Sequence, residues 1–189
     1  MKSLTKKQLI IIISIITVVL GFVLITTVGK PLLRSTITAT KLDDFKNVCY
    51  NGKITNAAVY TTPKTAVIAG FYETPVSDNN PWSTVTGNKN AYYATFGEHE
   101  KVNVVACFEY QPGAGKEIAK CDDIKLMSAH YKSIFYNAKT GEKISEGKEI
   151  VNDEPTCPRY VSYETISRET AKQPGTEEMD AAIKAFVEQ

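Results

Sequence analysis

The 189-residue chain has no C-x-x-C pair, no N-x-[ST] sequon and no G-x-S-x-G elbow, and it holds only two histidines and one tryptophan. Each absence removes a class of function. Zinc sites draw on closely spaced cysteine and histidine ligands. Neither His99 nor His130 stands near a cysteine, so no metal is expected. Without the G-x-S-x-G turn there is no serine nucleophile of the α/β-hydrolase kind. Gln111-Pro112-Gly113-Ala114-Gly115-Lys116 is glycine-rich but lacks the G-x-x-x-x-G-K-[ST] spacing that cradles phosphate, and no nucleotide or other cofactor is expected. The missing sequon favours a bacterial source over a glycosylated ectodomain. No repeat, heptad pattern or low-complexity tract is present.

Charge is missing from one long stretch. Leu9–Val28 is a run of 20 residues whose only polar members are Ser14, Thr17, Thr26 and Thr27. At about 1.5 Å per residue a helix of that length spans the roughly 30 Å hydrocarbon core of a bilayer. Its Ile and Val richness would suit a strand in water. In lipid only a helix satisfies every backbone group of a single span. A cleaved signal peptide has a shorter apolar region ending in small residues, and Thr26-Thr27-Val28-Gly29-Lys30-Pro31 does not match one. The run therefore reads as an uncleaved signal anchor. Lys2, Lys6 and Lys7 precede it, and Lys30 and Arg34 follow. That bias puts residues 1–8 in the cytoplasm and the C-terminal part outside.

No acidic residue occurs before residue 35. All 21 lie beyond it, against 17 of the 22 basic residues, so the outer part is net negative and its basic residues are scattered. Nucleic-acid binding would need a clustered basic patch, so the expected partners are the membrane through residues 9–28 and a protein of the envelope. All four cysteines, Cys49, Cys107, Cys121 and Cys157, fall in this outer part. An even number of cysteines beyond an anchor predicts two disulfides. Of three possible pairings, Cys107–Cys121 and Cys49–Cys157 are favoured, the first as a clip between neighbouring strands.

Residues 29–46 read as a polar stalk and 47–189 as a mainly β domain, a sandwich of roughly six to eight strands. Strands are expected at Ile54–Tyr60, Thr65–Tyr72, Ala91–Phe96, Lys101–Tyr110, Ile124–Tyr136, Glu142–Val151 and Tyr160–Thr165, with a turn at Asn137–Gly141 and a loop over 73–90. In Lys101–Tyr110, Val102, Val104, Ala106, Phe108 and Tyr110 share one face by period two. Thr176 is the expected N-cap of a closing helix, with Met179, Ala182, Ile183, Phe186 and Val187 as its apolar stripe. That stripe docks on the domain's own core or on a partner.

Few residues offer chemistry. His99 lies between Glu98 and Glu100 in an expected solvated turn, and His130 is expected to face solvent beside Ser128 and Lys132. Asp122, Asp123, Asp153 and Glu154 match no EF-hand pattern. Trp82, with Asn80 and Pro81, lies in the 73–90 loop, where it either binds a sugar or partner or folds back over the core.

Cys107, Cys121, the aromatic strand Tyr131–Tyr136, Asn137-Ala138-Lys139-Thr140-Gly141, Thr156-Cys157-Pro158 and a helix ending in Phe186-Val187 resemble a pattern in uncharacterised bacterial single-pass membrane proteins. In those a strand ends in a (D/N)A-x-TG turn, a CP follows and a short helix closes the chain. The resemblance covers Val102 to Gln189 and implies a compact, β-rich outer domain with paired cysteines; it offers no catalytic residues to carry over. Together these readings predict a membrane-anchored binding module, a non-catalytic part of an envelope assembly, with an envelope hydrolase or a purely structural protein as the alternatives.

Overall fold

The computed structural model describes residues 35–75, 81–85, 92–95, 97–157 and 169–189. The anchor expected at 9–28, the cytoplasmic residues 1–8 and the strand expected at Tyr160–Thr165 lie outside the described residues. Among those described, no helix is long and apolar enough to cross a membrane.

The domain is mainly β. Its centre is β5 (Val104–Tyr110), where Val104 through Phe108 are buried without a break. A strand covered on one side would show alternating burial, so this one has cover on both. It pairs parallel with β3 (Ile68–Glu73) and antiparallel with β8 (Ala129–Asn137). The edge strand β4 (Trp82–Thr84) flanks β3. On the far side β8 carries β9 (Lys143–Glu146) and β10 (Ile150–Asn152) one after the other along its length. The result is a six-stranded mixed sheet.

The expected period-two faces of β5 lead to two cores. Val104, Ala106 and Phe108, with Tyr131 and Phe135, pack against Met179, Ile183, Phe186 and Val187 of helix α1 (Thr176–Val187). Val105 and Cys107, with Phe71, pack against Phe45, Val48 and Ile54. The sandwich expectation called for a second large sheet. Here the cover is α1 on one face and the 35–57 segment on the other.

That second cover corrects the stalk. Residues 35–46 belong to the domain: Thr36–Ile37 (β1) pairs parallel with Lys53–Ile54 (β2), and Ala39 and Phe45 are buried. The polar composition concealed this, because the burial falls on a few residues of a 3-10 helix, Leu42–Val48. The strand expected at Ile54–Tyr60 is reduced to β2, and of that expected at Ala91–Phe96 the described residues 92–95 form a single bridge, between Tyr93 and Ile68.

The strand expected at Ile124–Tyr136 breaks at Ser128 into β7 (Ile124–Met127) and β8. Ser128 is buried; its N–H donates to the Lys116 carbonyl and its hydroxyl accepts from the Lys116 N–H at 2.9 Å. A side chain at Gly115 would collide with the Ser128 carbonyl, so glycine permits this close approach. β7 turns into a three-stranded sheet with β6 (Glu117–Cys121) and β11 (Glu169–Ala171). The return segment Glu142–Val151 is likewise two strands, β9 and β10.

The Asn137–Gly141 turn forms as expected. The Asn137 carboxamide oxygen accepts from the Lys139 and Thr140 amides, and Gly141 has φ +70°. The turn also serves the core: Ala138 is fully buried and its carbonyl accepts from the Ile54 amide. Helix α1 begins one residue earlier than its expected cap implied, with Gly175 at the N-cap and Thr176 as the first helical residue.

Candidate functional site: a groove beside the closing helix

All four cysteines are in disulfides, Cys49–Cys107 and Cys121–Cys157. This overturns the expected connectivity. A Cys107–Cys121 clip assumed that β5 and β6 are neighbours. β5 instead pairs with β3 and β8, and β6 lies in the other sheet. Cys107 points from the centre of β5 into the core under Cys49, at the end of the 3-10 helix. Cys121 closes β6 onto the 153–157 segment.

Trp82 stands in strand β4, where a loop was expected, and is 6% exposed. Its indole lies among the core residues beneath the 35–57 segment and meets the Tyr50 ring edge-on, centroids 6.3 Å apart. Folding back over the core is therefore what the residue does. The Pro81 carbonyl is held by the backbone N–H and the hydroxyl of Thr74, and Asn80 lies outside the described residues.

The histidines do not converge with other catalytic groups. His99 opens a single 3-10 turn, His99–Lys101. Beside it the Glu98 carboxyl is pulled down to about 2, chiefly by the Lys101 ammonium and the Thr95 hydroxyl that bond to it. His130 Nδ1 lies 2.9 Å from Glu149 Oε1 across the sheet edge. Among the described residues no group of three or more potential metal ligands gathers.

One carboxylate pair does come together. β3 and β5 run parallel with Tyr72 beside Phe108, so Glu73 and Glu109 follow as neighbours on one face. Glu73 accepts from the Tyr110 amide at 3.0 Å. Burial, with the Glu73 charge beside it, pushes the Glu109 carboxyl above its ordinary value, while Lys132 opposes the shift. Lys132 sits opposite Glu109 on β8 and pairs with Glu146 at 3.0 Å.

A concavity lies on the other face of β8, the one that carries Tyr131 and Phe135. Between the β9–β10 edge and α1 runs a groove of about 600 Å³, within the usual range for ligand sites. Its floor is the stacked pair Phe135 and Phe186, centroids 4.2 Å apart, with Ile150 alongside. Ala181, Ala182 and Ala185 form the helix wall, and their small side chains keep it open. The strand wall is Glu146 through Val151. At Val151 and Glu178 the groove adjoins a second, polar concavity of about 400 Å³, lined also by Asn152, Asp153, Glu154, Thr176 and Glu177, which forms its polar end. The helix stripe and the strand at 142–151 were both legible in the sequence, but nothing in it joined the two.

No protein-family model matches the chain, and no curated protein or solved structure is similar to it. Any function must therefore be argued from this geometry.

Proposed function

We propose that the chain is a binding module of a bacterial envelope, held in the membrane by residues 9–28 with residues 1–8 in the cytoplasm and the domain outside, and that it takes a protein partner in the groove beside α1. The observation that carries the reading is the groove itself. It is open, apolar on its floor and walled by the β9–β10 edge and α1. The carboxylates on its strand wall are tied to neighbours, Glu146 to Lys132 and Lys143, Glu149 to His130. The two disulfides support an oxidising compartment outside the cytoplasm. An anchor confines module and partner to one membrane, which lowers the entropic cost of their meeting. The test is a crosslinking pull-down of the full chain from its native membrane, run beside Ala182→Trp, which fills the groove. The reading expects a specific partner that the variant loses; no partner in either sample would sink it.

The Glu73–Glu109 pair favours a second reading, a hydrolase of wall polymers using one carboxyl as acid and the other as base. Purified full chain that releases soluble fragments from wall polymer, and a Glu109→Gln variant that does not, would establish it. Equal release by both proteins, or none, would remove it.

A further inference from the structure

The groove has three properties that together describe its occupant, given the binding-module reading above. The first is a free strand edge. Among the described residues β10 pairs only with β8, through Ile150 with Tyr131, Val151 with His130 and Asn152 with Ala129. The His130 carbonyl is turned the other way, accepting from the Gln111 amide. Antiparallel ladders alternate, so Ile150 and Asn152 bond to β8 while the N–H and C=O of Val151 point outward from the sheet. Val151 is also one of the few large apolar residues left exposed, at 41%. Exposed edges of this kind accept a further strand.

The second property is the apolar end, where Phe135, Phe186 and the α1 alanines leave room for side chains. The third is charge. Asp153, Glu154, Glu177 and Glu178 line the polar end, all are exposed, and among the described residues no cation pairs with any of them. Among the described residues Lys148 is the one basic residue in the groove lining.

We propose that the groove receives an extended, basic segment of the partner protein as an added strand beside β10. Its backbone bonds to the free N–H and C=O of Val151. Alternate apolar side chains enter the Phe135–Phe186 end, and a lysine or arginine meets Glu154, Glu177 and Glu178. The acidic rim sets the charge of the partner and speeds its approach, while the edge supplies affinity that does not depend on sequence.

The probes are three labelled heptapeptides: valine alternating with lysine, valine alternating with glutamate, and the basic peptide with alternate backbone nitrogens methylated. Binding to the full chain in a non-denaturing detergent is followed by fluorescence anisotropy. The basic peptide is expected to bind at least about tenfold more tightly than the acidic one, a difference of about 1.4 kcal/mol. Methylation should lose about tenfold, because it removes the strand bonds. Ala182→Trp should abolish binding, and Glu154→Lys with Glu177→Lys, exposed positions that leave the core untouched, should erase the preference for the basic peptide. Equal binding of the basic and acidic peptides, or of the basic peptide and its methylated form, overturns the inference. So does a dimer of the full chain that Ala182→Trp disperses, since the occupant is then a second copy. A native partner that is lost in Ala182→Trp while the basic peptide fails to bind overturns only this inference and leaves the module reading in place.

Discussion

Tyr131 shows how a single side chain can tie two parts of the domain together. It is fully buried at the centre of one core, its ring 5.6 Å from that of Tyr110, and its hydroxyl donates to the Lys172 carbonyl at 2.9 Å just before α1. Burial holds the phenol well above its ordinary range. Tyr131→Phe keeps the packing but leaves the carbonyl without its donor, which should cost about 1–2 kcal/mol in chemical denaturation. Glu109 acts in the opposite sense. Its folded-state value lies above the ordinary 4.5, so the folded chain holds that proton more firmly than the unfolded chain does. Its contribution is fully present below pH 4.5 and is lost as pH rises through the raised value. Glu109→Gln should therefore raise Tm at neutral pH, with the gain shrinking as pH falls through the raised value and gone below 4.5. An unchanged Tm at both pH values would mean that Lys132 already offsets the burial. Neither residue was legible from sequence alone. Tyr131 read only as part of an aromatic strand, and nothing set Glu109 apart from the other acids, because the Glu73 neighbour is set by the pairing of β3 with β5.

At the scale of elements, local signals were legible and pairings were not. The closing helix, the faces of β5 and the Asn137–Gly141 turn follow from periodicity and turn chemistry, which act over a few residues. Disulfide connectivity and strand order depend on contacts between distant parts of the chain. Cys49 reaches Cys107 because a 3-10 helix, hidden in a polar stretch, packs on that face of β5. The two loops, of 58 and 36 residues' separation, are each worth about 4 kcal/mol in the chain-entropy model. A non-reduced peptide map should show Cys49 with Cys107 and Cys121 with Cys157, and any Cys107–Cys121 species would contradict the fold. The helix makes a separate prediction. Phe186 is stacked on Phe135 and buried, so Phe186→Ala should cost about 3–5 kcal/mol. If that variant unfolds at the wild-type midpoint, α1 is not part of the core. The long strand expected at Ile124–Tyr136 was half right for a physical reason: its composition is β throughout, but the approach of Gly115 to Ser128 divides it between two sheets.

For the whole molecule, the account joins an apolar run, an oxidised domain and an acidic groove with a free edge. The proposed orientation predicts that protease added to intact cells removes the domain, and full protection would reverse it. The groove was invisible in the sequence because its walls are 30 residues apart and meet only when α1 closes over Phe135. The most direct test of the central claim is site-specific photocrosslinking in living cells. A photoreactive residue at Ala182, inside the groove, is compared with one at Val59, which is 67% exposed and outside it. The account predicts a discrete crosslinked partner from position 182 and none from position 59. The same partner from both positions, or none from either, would contradict it.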